Sequence, residues 1–159
     1  MKMDNANASL LAYFQQQQTP PGWFDLLNVM IDGMVRNVGE AESLPFLRQM
    51  GEAMADRTPL PTSETVGELE AHINAQLRVF NWGCIDIIVS ENGLAFRHQG
   101  IPVARDKALQ TRWCSAFCAI LEGLYSRWLR GQGGDSGLVF TRESLYSVSD
   151  VVFRYAKPQ

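Results

Sequence analysis

The chain has 159 residues, within the usual size of one domain. Hydrophobic residues make up 46% and charged residues 19%, a globular rather than a disordered balance. A net charge of −3 gives no basic field for nucleic acid or anionic lipid, so nucleic-acid binding is excluded as the leading function. No window approaches the ~18 consecutive apolar residues of a bilayer span, and Met1 to Ser9 lack an apolar leader core. Three cysteines, an odd number, do not form a disulfide framework. These features together predict a reduced, cytoplasmic protein.

Residues 1–21 are polar, with Gln15 to Gln18 leading into Thr19-Pro20-Pro21. They carry too little apolar surface to order themselves and are read as a flexible arm, with a short helix around Leu10 to Phe14. Tyr13 and Phe14 are the arm's candidate contacts for a partner or a polymer. Residues 22–159 form a single domain. In its first helix, Trp23, Leu26, Leu27, Met30, Ile31 and Met34 recur at spacings of three and four, which predicts a core-facing stripe. A second helix is expected after Ser43, with Pro45 in its first turn and Phe46, Leu47, Met50 and Met54 on one face. A third begins near Thr65, where Thr65 and Glu68 have capping-box spacing, and buries Val66, Leu69, Ile73, Leu77 and Phe80.

That helix delivers the chain to Asn81-Trp82-Gly83 and a strand from Cys84 to Val89. Glu91-Asn92-Gly93 makes a hairpin turn, with positive φ expected at Asn92 and Gly93. Leu94, Phe96 and His98 share one face of the return strand. A loop from Gly100 to Gln110 precedes a long helix over about 111–131, ended by Gly131, Gly133 and Gly134. Strands follow at Leu138 to Arg142 and at Val151, Phe153 and Tyr155, with a loop between them around Glu143 to Asp150. The fold class is α+β: N-terminal helices and a long helix in the C-terminal half, packed on an antiparallel sheet of about four strands.

On the long helix, Arg112, Ser115, Ala119, Glu122, Ser126 and Arg130 line one narrow stripe, and the rest is largely apolar. Its apolar face exceeds the ~100° that one core needs, so the helix requires two partners. The second is either other helices of the same chain or a neighbouring protomer. Gly123 lowers helix stability by about 0.5–1 kcal/mol relative to Ala, which implies a close backbone approach. Glu122 lacks a companion His or carboxylate at diagnostic spacing, and pairing it with Asp86 would be arbitrary. Cys114 and Cys118 are read as buried apolar thiols rather than metal ligands, and Cys84 likewise. His72 and His98 are read as ordinary polar residues. No Gly-x-Ser-x-Gly elbow or phosphate-cradling loop is present in the sequence. No catalytic, metal or cofactor site is assigned.

The octapeptide Leu121-Glu122-Gly123-Leu124-Tyr125-Ser126-Arg127-Trp128, with the segment from Ile73 to Trp82-Gly83, closely resembles the D subunit of bacterial cellulose synthase operons. The resemblance runs from about Thr65 to Tyr155. It implies a non-catalytic accessory subunit that assembles into a closed homo-octamer, a tetramer of dimers, with internal passages for nascent β-1,4-glucan and N-terminal segments lining them. Under it, Trp82, Gly83, Leu121, Glu122, Gly123, Leu124, Tyr125, Arg127 and Trp128 are structural or interface residues. Partners would be other proteins of the operon, including Pro-rich ones, and the periplasm is the alternative compartment. A second class of function is a small-molecule or lipid-sensing domain, because the order strand, strand, helix, strand, strand also resembles small ligand-binding domains of the vinyl-reductase type. Such a domain needs an apolar pocket between helix and sheet.

Overall fold

The computed structural model describes residues 2–134 and 137–158; Met1 and Gln159, which bound the expected arm and domain, lie outside the described residues. Five helices precede or interrupt four strands: α1 Lys2–Gln18, α2 Trp23–Val38, α3 Glu40–Arg57, α4 Val66–Phe80, β1 Cys84–Ser90, β2 Gly93–Gln99, α5 Lys107–Gly131, β3 Val139–Ser147 and β4 Asp150–Ala156. The strands form one antiparallel sheet in the order β1-β2-β4-β3, and the fold class is α+β.

α5 lies between α3 and the sheet. On its sheet side, the Tyr125 ring meets Phe96, Phe140 and Phe153 at centroid distances of 5.8, 5.3 and 5.9 Å. Leu69, Ile73 and Leu77 of α4 complete the core next to Ile85 of β1, and Val151, Phe153 and Tyr155 are buried on β4 as their alternation requires. Thr65 caps α4 by accepting from the Glu68 N–H at 3.1 Å. The Glu68 carboxylate accepts from Glu64 N rather than from the cap itself.

α4 also closes the outer edge of the sheet. Asn74 donates to the Ile85 carbonyl at 3.0 Å and accepts from the Ile85 N–H at 2.7 Å, and Glu70 accepts from the Ile87 N–H at 2.8 Å. Those backbone groups would otherwise stand unpaired on an edge strand.

Several elements differ from expectation. α1 is helical through Lys2–Gln18, longer than the short helix around Leu10 to Phe14. α3 starts at Glu40, directly after Gly39, whose φ of 80° lets one residue separate two helices; Pro45 therefore lies beyond the first turn. Asp106 caps α5 by accepting from Ala108 N at 2.9 Å, so the helix takes over the end of the expected loop. β3 continues to Ser147 with register shifts after Arg142 and Leu145. In the β1–β2 turn only Gly93 has positive φ, at 144°, and Asn92 does not.

The largest departure is α2. Four of the six residues of its predicted core stripe point to solvent, Trp23 being 76% exposed and Met30 61%, with Leu26 and Leu27 half exposed, whereas Ile31 and Met34 pack on the core as expected. The face that packs inward carries Phe24 and Ile31. On α3, likewise, Leu47 is buried with Ser43, Gly51 and Ala55, whereas Phe46 and Met50 are exposed.

Candidate functional site

The two sequence segments singled out above meet inside one chain. Trp82 and Gly83 leave α4 in a turn built on Asn81, a left-handed cap with φ 61°, and on Gly83, with φ 81°. A Cβ on Gly83 would lie 2.0 Å from the Gln99 carbonyl oxygen, so this position needs glycine for both its backbone angle and its space. The Trp82 carbonyl accepts from His98 Nε2 at 2.5 Å, and Tyr125 Oη lies 2.6 Å from His98 Nδ1. A carbonyl can only accept, so Nε2 carries the proton and Nδ1 receives the Tyr125 hydroxyl's hydrogen bond. One neutral imidazole thus links the turn, β2 and α5.

Burial holds His98 neutral, pushing its pKa down to about 4 against the smaller opposing effect of the Trp82 carbonyl. Burial also raises the Tyr125 hydroxyl well above its ordinary range. A fully buried tyrosine and histidine that satisfy each other form a structural lock, not an exposed acid–base pair. The reading of His98 as an ordinary polar residue is therefore corrected: it faces inward with Phe96, in the alternation already visible in β2.

Gly123, Glu122, Arg127 and Trp128 of the octapeptide meet α3 and its C-terminal end. Gly123 sits where a Cβ would come 1.9 Å from the Arg48 carbonyl oxygen, and Gly51 of α3 sits where its Cβ would come 1.9 Å from that of Ile120. Each glycine accommodates the other helix's backbone, so α3 and α5 cross in backbone contact. Leu121 and Leu124 are completely buried, and Trp128 is 3% exposed with its indole N–H donating to the Thr58 carbonyl at 2.9 Å. At the rim, Glu122 accepts from Arg48 at 2.7 Å, and Arg127 donates to Asp56 at 2.9 Å. The second partner of the wide apolar helix is thus α3 of the same chain. Gly51, Arg48 and Asp56 escaped sequence reasoning because each acts through a residue some seventy positions away.

Asp86 and Glu122 do not converge: Asp86 pairs in register with Arg97 on the sheet's outer face, and Glu122 faces α3. The sulfurs of Cys114 and Cys118 lie 3.9 Å apart in the interior. Their mutual hydrogen bond lowers the Cys114 thiol and raises that of Cys118. His72 Nδ1 lies 2.8 Å from Ser63 Oγ. The helix–sheet interface where a sensing domain would hold its ligand is filled by Tyr125, Phe96, Phe140 and Phe153. A groove of about 490 Å³ lies instead at the surface, between α2 and residues 104–109, with Asp25, Asn28, Asp32 and Arg36 among its lining residues. Within it Asp32 is held below the usual carboxylate range by hydrogen bonds from Arg112 and Arg36.

Exposed apolar side chains that the core does not use lie on α1 and α2. Tyr13 and Phe14 are 57% and 55% exposed on α1, their rings edge to face at 5.6 Å. Beyond them in sequence comes the bare stripe of Trp23, Leu26, Leu27 and Met30 on α2. An exposed apolar stripe such as that on α2 is the kind of surface that marks an interaction site. No described helix is long and apolar enough to cross a membrane.

Comparison with known proteins agrees with the family resemblance. The family described as the cellulose synthase D subunit matches residues 9–156. Cellulose synthase operon protein D of Komagataeibacter xylinus is 34% identical over 102 residues, covering 62% of this chain and 64% of that relative. The protein of the same description from Komagataeibacter sucrofermentans has the same identity and coverage. The chain thus matches less than two thirds of the length of these relatives. With the family match extending across α2 to β4 and most of α1, the chain belongs to the family of cellulose synthase D subunits.

Proposed function

We propose that this chain is a non-catalytic accessory subunit of bacterial cellulose synthesis, which assembles with copies of itself into a closed oligomer and thereby organises synthase complexes or guides glucan chains towards crystallisation. The observation that carries this reading is the exposed stripe of Trp23, Leu26, Leu27 and Met30 beside a filled interior. The protomer completes its own core and still presents large apolar side chains to water, which favours a protein whose task is association. The names of its relatives support the cellulose context.

In this reading the buried octapeptide gives each protomer its shape, and association falls to the outer helices. Tyr13 and Phe14 contact glucan or a partner, for which exposed aromatic rings on a stretch without charge from Asn5 to Gln18 are suited. The assembly acts on the cytoplasmic side of the synthase, together with other operon proteins, Pro-rich ones included. Its closed state is an octamer built as a tetramer of dimers.

Light scattering coupled to size exclusion tests the core of the reading. A discrete mass near eight chains is expected, and a monomer at all concentrations would defeat it. Retention of the parent protein on insoluble cellulose tests glucan binding by the assembly, and a parent that is not retained would defeat it.

A further inference from the structure

The exposed stripe on α2 needs an occupant, and one element of this chain has the form to supply it. Every described side chain of α1 from Asn5 to Phe14 is exposed, so the helix packs on nothing in its own protomer over that length. A 17-residue helix rich in Asn and Gln is marginal alone in water. Its persistence calls for a surface. Between Asn5 and Gln18 it carries no charged residue, and Ala6, Leu10, Tyr13 and Phe14 fall on one side at helical spacing. This stripe is about 12 Å long, and that from Trp23 to Met30 on α2 about 10 Å, at 1.5 Å per residue. Two uncharged stripes of similar length can pack without burying a charge.

They do not meet within one chain. The root of α1 is pinned to the body on the other side of the connection: Gln18 donates to the Gly100 carbonyl at 2.6 Å, Asn81 to the Gln17 carbonyl at 3.3 Å, and Arg105 to the Thr19 carbonyl at 2.6 Å. Thr19 is buried, and Pro20-Pro21 and Gly22, with φ 84°, follow at once. The connection between the helices is short and half of it is proline, while both stripes remain bare.

We infer that α1 of one copy docks on the α2 stripe of a second copy, the two chains exchanging helices about a two-fold axis. The inference rests on the self-assembly proposed above and names the surfaces that perform it. An isologous exchange makes each contact twice, so a modest helix pair yields a dimer that can serve as the repeating unit of a closed assembly. The socket formed by Asn81, Gly100 and Arg105 then aims α1 outward.

A complementation experiment tests this. One chain carries Phe14→Glu and another Leu27→Lys, both at positions exposed in the protomer, with circular dichroism checking that each folds. Each variant alone should fall to a lower mass than the parent in light scattering, and an equimolar mixture should recover the parent mass. In a Cys84→Ser background, a Phe14→Cys chain mixed with a Leu27→Cys chain should give a disulfide-linked dimer that contains one of each. If the parent assembles and both charge variants assemble equally well, or if the mixture stays dissociated, the exchange is wrong while self-assembly stands. Intact assembly with loss of retention on insoluble cellulose would assign α1 to glucan and also overturn the exchange. A monomeric parent would overturn both the exchange and the reading beneath it.

Discussion

Two regions of this molecule treat similar residues in opposite ways. Around α5, Trp113, Phe117, Leu121, Leu124, Tyr125 and Trp128 are all at most 5% exposed, held between α3 and the sheet. On α1 and α2, Leu10, Tyr13, Phe14, Trp23, Leu27 and Met30 are each about half exposed or more. Both regions are helical and apolar at helical spacing. The difference lies in what crosses them: α5 has a glycine that admits another backbone, and the stripe from Trp23 to Met30 on α2 has no covering element among the described residues. Amphipathic spacing therefore shows which face of a helix is apolar, and leaves open whether its own chain covers that face.

Substitutions in the α5 region should affect folding first. Trp128→Ala removes a buried indole together with its hydrogen bond to Thr58, and should lower stability by about 4 kcal/mol in chemical denaturation. A loss under 1 kcal/mol would mean that the octapeptide does not anchor the core. Gly123→Ala forces a methyl group against the Arg48 carbonyl, and is expected to cost about 3 kcal/mol; an unchanged melting temperature would show that the helices do not cross so closely.

Acid should weaken the same region. The folded His98 has a pKa of about 4 against 6.5 unperturbed, so the unfolded chain takes up the proton first as pH falls. The contribution of the neutral imidazole is complete above about pH 6.5 and diminishes towards pH 4, by about 3 kcal/mol in all. His98→Gln, measured across the same range, should flatten that acid limb; an identical slope in both proteins would place the sensitivity elsewhere.

The smallest effect on folding belongs to the α1–α2 region. Leu27→Asp replaces a half-exposed side chain and should shift protomer stability by no more than about 0.5 kcal/mol. Its mass in solution should nevertheless fall. A large loss of protomer stability would place Leu27 in the core and remove the contrast between the two regions.

Much of the α5 region was legible because its signals are local. Thr65 and Glu68 mark the start of α4, the alternation of Val151, Phe153 and Tyr155 marks β4, and Gly123 in an apolar helix announces a close approach. The partners were not legible, because Gly51 and His98 acquire meaning only through Ile120 and Tyr125, which the fold brings near. α2 misled for a different reason. Its apolar stripe is genuine, and a pattern of spacing contains no information about which molecule supplies the opposite surface. α1 gave the weakest signal, since amide-rich sequence argues against a core and says little against a helix.

The side chains of Asn74 and Glu70 imitate a neighbouring strand along β1. Sheets that join edge to edge can add units without limit and grow into fibres, whereas contacts between helices related by rotation come to an end when the ring is complete. By occupying Ile85 and Ile87 with its own α4, the protein removes one route to open-ended growth. On the reading proposed above, a protein placed beside a polymer of endlessly repeated units is thereby kept, at this edge, from becoming a polymer itself.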